Sequence, residues 1–534
     1  MIVTNPAAAD VFGAQTRVTP HGGRARAGLL AGFACLYLWQ LAPVLQWGDP
    51  AKLVLLASQA RSNVLSGGGH GLLILLINAL DFVVPGGIEI AARLVSPLAS
   101  LGALAILWRV LAGERIGVNA RLVALSALGV SHLFWFMSEI VESYALLGFL
   151  FALWLLAAQR FEARPTLARA CALFGVGFAG VLNHQLLLLL WPVQFVHFAV
   201  MLPTRERRTW WTAHGVLLAV VGLIACLTPS SFAVAGQSIA FHLERWVNPL
   251  QGAALIWVLP LLLLAQFPSA AFVFASRALI AGSARLRRGG LRERQNLLHV
   301  SCIGVMSCFA LSYGLGRAFF LLLPVYIVFA IWIARGFDAW CEVSPRRARY
   351  LAPILASTLV LPIAGYQCAW RSANALQIYP LSDRVLPYRD VNRYYLWPGK
   401  RGEDGATRFV ADLRNFQPGP ALVLADFRIS SILRCAQELA GSGDYEVWGT
   451  DYYFGFRSED ETRHLINAKI EECRGRGLDV VIADRASLQI YLNDQRIFDF
   501  LPELTAKHVV ELGGHFRRIR FSSLTTTRAQ AAAE

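Results

Sequence analysis

The chain has 534 residues, of which 56% are hydrophobic and only 16% charged, against about 25% charged in an ordinary soluble domain. That balance excludes a disordered, collagen-like or small disulfide-stapled protein, and it excludes a wholly soluble enzyme. The net charge of +14 is almost all arginine, lysine occurring only as Lys52, Lys400, Lys469 and Lys507; the arginines stand in short loops between apolar runs, which fits cytoplasmic membrane loops better than a nucleic-acid partner.

Residues 1–27 carry Arg17, Arg24 and Arg26 but no early apolar core. No cleavable leader is expected, so 1–27 reads as a cytoplasmic tail before a retained anchor. Residues 28–370 read as a membrane domain, threaded by keeping arginine-rich loops inside. Leu29–Gln46 goes out, and a long first outer loop, 47–89, follows. Ile90–Leu111 returns to Arg115 and Arg121. Leu122–Met137 goes out, and Tyr144–Ala158 returns to Arg160, Arg164 and Arg169. Ala170–Leu202 contains no Lys, Arg, Asp or Glu. As one helix it would reach roughly 50 Å at about 1.5 Å per residue, whereas a span needs about 20 residues. With basic loops at both ends it must be a hairpin, turning at Asn183-His184-Gln185. Thr212–Leu227 goes out, Ala253–Phe274 returns to the basic stretch Arg277–Arg294, and Leu297–Tyr313 goes out. Phe319–Ile333 returns to Arg335–Arg349, and Leu351–Tyr366 goes out. The expected fold is a polytopic α-helical membrane protein of about 11 transmembrane helices. Leu72–Val84 is apolar but short. As a span it would put four basic loops outside, so it reads as a re-entrant or interfacial helix within loop 47–89.

Residues 371–534 are mixed polar and charged and read as a C-terminal soluble α/β domain on the extracytoplasmic side. Leu386–Lys400, rich in aromatics and arginines, reads as the interfacial link. Strand patterns at Ala421–Asp426, Tyr445–Gly449 and Asp479–Asp484 alternate with helical ones at Ile429–Leu439, Ser458–Arg474 and Ala486–Leu492. That order predicts a small parallel sheet. Asp426 and Asp484 end strands, where open sheets hold ligands, yet an aspartate there more often caps the next helix. Neither a dinucleotide, P-loop nor zinc motif is present. In an oxidising compartment Cys435 and Cys473 are candidates to pair.

On this threading every outer turn carries polar groups: Asp49 after the first span, His70 in Gly67-Gly68-Gly69-His70-Gly71, Glu139 and Glu142 at the second turn, Asn183 and His184 at the third, His242, Glu244 and Arg245 at the fourth, and Arg317 at the fifth. Ionisable groups at membrane depth are functional candidates by default. A carboxylate can take a proton from an acceptor hydroxyl, and an arginine can hold a phosphate through paired hydrogen bonds. This set suits transfer from a lipid-phosphate donor. The second acidic turn would orient the acceptor, hold a sugar hydroxyl or bind a divalent cation. Two other classes compete: a lipid or sugar transporter with the turns as gates, although no internal repeat is visible, and a non-catalytic scaffold presenting the C-terminal domain.

Several of these stretches resemble the GT-C superfamily of polytopic glycosyltransferases, to which protein O-mannosyltransferases and the lipid A aminoarabinose transferase belong. Asp49 is similar to the acidic residue of that superfamily's first outer loop, and His70-Gly71-Leu72 stands where it has a His-Pro-Pro-type stretch. Phe134-Trp135 through Glu142-Ser143-Tyr144-Ala145-Leu146 resembles the second outer turn of bacterial relatives. Val181-Leu182-Asn183-His184-Gln185 resembles their Asn-His turn, and Arg317-Ala318-Phe319 through Pro324 the start of a late span. The resemblance covers roughly 28–370. It implies a transferase using a polyprenyl-phosphate-linked sugar at the outer face of a bacterial inner membrane. Asp49 would be the base, Glu142 a second active-site acid and Arg317 the contact to the donor phosphate. His70, Glu139, Asn183, His184 and His242 would line the substrate site, and membrane lipid would be the other partner. The chain departs from the pattern in two places: no proline follows His70, and Asp49 has only Gly48 and Pro50 beside it.

Overall fold

A computed structural model describes residues 20–59, 70–227, 256–284, 291–312, 319–378, 386–441, 443, 445–449, 459–483 and 509–520. The first helix, α1 (Pro20–Gln40), leads to the short α2 (Asp49–Ser58) and the apolar α3 (Gly71–Val83). The long α4 (Gly87–Gly113), α5 (Val118–Val130), α6 (His132–Glu139), α7 (Ser143–Ala163) and α8 (Leu167–Asn183) follow. A 3-10 turn, Gln185–Leu189, enters α9 (Leu190–Met201), and α10 (Thr204–Leu227) comes next. The later helices are α11 (Leu259–Gln266), α12 (Ala270–Ala284), α13 (Leu291–Ser312), α14 (Leu323–Val343) and α15 (Leu351–Ala375).

Among the described residues, five helices are long and apolar enough to cross a bilayer, six if α5 and α6 form one bent span. Gly71–Val83, Leu167–Asn183, Gln185–Met201 and Ala270–Gly282 are shorter apolar helices. The protein is a multi-pass membrane protein. The α5–α6 bend of 61° falls at Ser131. The groups freed there find partners: Ser131 Oγ donates to Leu128 O (2.7 Å), and the Leu133 N–H donates to Gln266 Oε1 (2.8 Å). Such repair is required in hydrocarbon, where water cannot substitute.

The expected hairpin in 170–202 corresponds to a helix end at Asn183. The expected single span Ala253–Phe274 is not one helix. It stops at Gln266 and restarts at Ala270, because Pro268 can neither donate a ladder hydrogen bond nor leave its predecessor helical. Beyond the break, α12 lies so close to α14 that a Cβ on Gly336 would stand 2.0 Å from Phe274 O. The side chains of α14 from Leu323 to Ala334 are all buried, so this helix is the spine of the bundle.

At the end of the bundle where the basic loops gather, the charges are paired. Arg335 on α14 donates from Nε and Nη2 to both carboxylate oxygens of Glu114, at 2.7 and 2.8 Å, and from Nη1 to Asn296 Oδ1 at 2.5 Å. Glu162 on α7 meets His197 on α9 at 2.5 Å. These two pairs and Asn296 tie five helix regions.

The C-terminal part begins with the linker helix α16 (Val391–Leu396) and α17 (Gly405–Phe416). Then come β1 (Ala421–Ala425), α18 (Phe427–Ala440), β2 (Tyr445–Gly449), α19 (Glu459–Gly475), β3 (Asp479–Ala483), β4 (Val509–Gly513) and β5 (Phe516–Arg520). The strand order is β2-β1-β3-β5-β4. β1 pairs parallel with β2 and β3, whereas β5 pairs antiparallel with β3 and β4. The sheet is therefore mixed, a correction to the parallel expectation; β4 and β5 face each other across Gly514 at φ +54°, a hairpin with no apolar run to announce it. Asp426 takes the capping role: its Oδ1 accepts from the Ile429 N–H at 2.9 Å. Asp484, Ser458 and the expected helix 486–492 lie outside the described residues. Cys435 and Cys473 are both free and buried. The chain moves from β1 to β2 and then back past β1 to β3, so right-handed crossovers put α18 and α19 on opposite faces of the sheet, and the suggested pairing is lost.

The buried pair at the basic end gives a first test. Replacing Arg335 by Met leaves Glu114 charged without a partner and should cost about 3–5 kcal/mol. The unfolding midpoint in detergent should fall accordingly, and the double replacement Glu114→Leu with Arg335→Met should recover most of it. A single variant as stable as wild type would show that the pair contributes nothing.

Candidate active site

The segment between α1 and α3 folds back on the C-terminal part. Gly48, at φ +79°, turns the chain sharply enough for its N–H to reach Arg428 O at 3.4 Å. A Cβ there would lie 3.6 Å from Arg428 Cγ in a left-handed backbone that favours glycine. Asp49 and Pro50 then open α2. Proline suits a first turn, and a carboxylate in that turn meets the positive end of the helix dipole. Lys52 Nζ lies 5.5 Å from the Phe427 ring, and Gln59 donates to Glu438 at 3.3 Å. Helix α2 is thereby seated on α18, with exposed Asp49 at its head.

The other turns meet here. His70 caps the start of α3, and its Nδ1 donates to Asn183 O at 3.0 Å. A carbonyl can only accept, so Nδ1 carries the proton and the neutral ring offers Nε2 as an acceptor. Asn183, wholly buried, donates from Nδ2 to Ser143 O at 3.0 Å. The His184 ring stands 5.6 Å from that of His70 and 5.2 Å from Tyr144. Its Nδ1 accepts from the Leu186 N–H at 3.1 Å. Glu142, half-buried, caps α7 by accepting from the Ser143 N–H at 3.3 Å. Burial lowers the His70 pKa, the carbonyl of Asn183 and the charge of Asp49 opposing it. Burial raises Glu142 well above the ordinary carboxylate range, and the negative charge of Asp49 pushes the same way. Asp49 thus acts electrically on both Glu142 and His70, although the three stand on different turns.

Glu139 behaves differently. Its side chain points into the packing, where Oε1 accepts from Trp135 Nε1 at 2.9 Å, and its carbonyl accepts from the Ala42 N–H at 3.1 Å. It lies in the field of Lys400, a residue that the sequence reading did not select. Lys400 is 0% exposed. Its Nζ donates to Tyr394 O at 2.7 Å and to Trp397 O, and lies 4.3 Å from the Phe136 ring. The N–H of Lys400 reaches Gln40 O at 3.1 Å. Trp397 meets Trp135 edge-on at 5.6 Å, and Tyr394 meets Phe136 at 5.5 Å. Burial pushes the Lys400 ammonium down to about 7, with Glu403 holding it up and Arg389 pushing it further down. The linker is therefore packed against the end of α1 and against α6. Its one signal in the sequence was a lysine in a chain that otherwise uses arginine.

Arg317 and His242 lie outside the described residues, as do Gly67–Gly69, Glu244 and Arg245. Among the described residues, no group of three or more His, Cys, Asp or Glu comes together to hold a metal ion, so the residues in view supply no cradle for a divalent cation at the second turn.

The raised Glu142 yields a signed test. A carboxyl whose folded-state pKa exceeds its unfolded value destabilises the folded state when ionised. The cost is absent below about 4.5, the ordinary value, and is complete above the raised one. Glu142→Gln should unfold at a higher temperature than wild type at pH 8, and the two curves should converge as pH falls below 4.5. A variant less stable at pH 8 would contradict the burial argument.

No family model and no curated protein sequence matches the chain. Solved structures do. The crystal structure of ArnT from Cupriavidus metallidurans bound to undecaprenyl phosphate superposes on 92% of this chain and 97% of its own, with 14% identity and a TM-score of 0.55. The cryo-EM structure of the arabinofuranosyltransferase AftD from Mycobacteria matches 94% of this chain but 40% of its own, with 15% identity and a TM-score of 0.50. Both are membrane glycosyltransferases of the GT-C type. Over more than nine-tenths of its length, this chain shares the fold of these two solved structures.

Proposed function

We propose that the protein transfers a sugar from a polyprenyl-phosphate donor to an acceptor on the extracytoplasmic face of a bacterial inner membrane. The observation that carries this reading is the meeting of Asp49, His70 and Glu142 at one place in the fold of transferases, one of which was crystallised with undecaprenyl phosphate. Eleven spans are the topology that goes with it, with the C-terminal α/β part outside and the Glu114–Arg335 end of the bundle in the cytoplasm.

The chemistry follows from the residue types. The acceptor hydroxyl attacks the anomeric carbon while Asp49, exposed at the head of α2, takes its proton. The bond from that carbon to the phosphate oxygen breaks, and the polyprenyl phosphate leaves with both electrons. The leaving group is already an anion and needs charge stabilisation rather than a proton; Arg317 supplies it. Glu142, whose pKa burial and the charge of Asp49 both raise, shares a hydrogen bond with the sugar or the acceptor. Neutral His70 and its partner Asn183 fix the floor of the site. Among the described residues the polar turns converge at one end of the bundle rather than at its middle, which favours transfer over transport.

The deciding experiment is transfer of labelled sugar from a polyprenyl-phosphate donor by purified protein in proteoliposomes. Asp49→Asn should lower turnover at least 100-fold, the scale of lost general-base catalysis, while donor affinity stays within twofold. Undiminished turnover removes Asp49 from the mechanism. Movement of labelled lipid across the bilayer without a new glycosidic bond would make the protein a transporter.

A further inference from the structure

The linker carries a cation whose hydrogen-bonding capacity the protein leaves unused. Arg389 is half-buried. Its guanidinium lies 3.6 Å from the centre of the Tyr394 ring, and its Nε is buried with no hydrogen-bond partner. Among the described residues no carboxylate forms an ion pair with it. The neighbouring cations are committed: Lys400 is spent on two carbonyls and two rings, Arg393 lies over Trp370, and Arg401 over Trp39. The acid that follows Arg389 is committed too: Asp390 accepts from Trp370, Asn374 and the Arg393 N–H.

The position of Arg389 gives that spare capacity a direction. Tyr394 packs on Phe136, whose helix ends at Glu139, and it lies within the fields of both Arg389 and Glu142. The stacked guanidinium therefore borders the carboxylate end of the candidate site. An arginine held flat on an aromatic ring, with its edge unbonded and partly desolvated, is pre-organised to receive an oxyanion through parallel N–H···O bonds. Leaving a buried N–H unsatisfied is unfavourable unless a ligand supplies the acceptor.

We propose that Arg389 binds the phosphate of the donor's lipid carrier, so that the linker to the C-terminal part completes the donor site. This rests on the transferase reading, and the experiment separates the two. Full-length protein in detergent is titrated with undecaprenyl phosphate and, in parallel, with undecaprenol, which lacks the phosphate; binding is followed by intrinsic tryptophan fluorescence. Wild type should bind the phosphate form at least tenfold more tightly. Arg389→Ala should lose that tenfold preference while its affinity for undecaprenol is unchanged, and Arg389→Lys, which keeps the charge without the fork, should lose part of it. If Arg389→Ala does not fold, Arg389→Lys and Arg389→Gln carry the same comparison. A variant with the full wild-type preference overturns the assignment and leaves the transferase reading standing, and so does an equal loss for both lipids, which marks a structural role. A wild type that does not distinguish the two lipids overturns both.

Discussion

A charge inside hydrocarbon has nothing to solvate it, and this cost arranges the whole protein. It drives the ionisable groups to the two ends of the bundle and dictates how they behave there. At one end the ionisable groups are bonded to one another: Glu114 and Arg335 share two hydrogen bonds, and Glu162 and His197 share one. At the other end they are held apart on separate turns. Asp49, Glu142 and His70 stand on three turns, close enough for their fields to interact. The first arrangement ties helices together.

The C-terminal part supports that second arrangement. Helix α18 seats α2 and therefore Asp49. The linker lays Lys400 against the ends of α1 and α6, a lysine with no exposed surface. A fully buried ammonium is tolerated because two carbonyls and two aromatic rings replace its water. The C-terminal sheet thus does more than follow the membrane part: its helices and its linker set the positions of α2 and of the ends of α1 and α6.

Much of the local structure was legible because it depends on neighbours in sequence. The helix end at Asn183 followed from length and charge, and Asp426 caps its helix as aspartates after strands do. The break at Pro268 was equally legible, since proline ends a helix whatever surrounds it, but the continuous apolar run around it masked the signal. Strands β4 and β5 were not: Phe516–Arg520 reads Phe-Arg-Arg-Ile-Arg, and only pairing with β3 makes a strand of it.

The sequence by itself determined that the chain crosses a membrane repeatedly, which loops carry positive charge, and which acids and histidines stand in the turns between spans. These follow from hydropathy and from residue type. Tertiary structure alone decided which turns meet. It turned Glu139 onto Trp135 and left Glu142 in the field of Asp49, although only Ile140 and Val141 separate them. It also returned Lys400 to Gln40 and Phe136, more than two hundred residues earlier. Periodicity records the face of a helix, not its partner, and contacts between such distant residues leave no mark in either segment. Burial of an ammonium or a guanidinium beside an aromatic ring becomes favourable only when the partner arrives, and the fold alone brings it there.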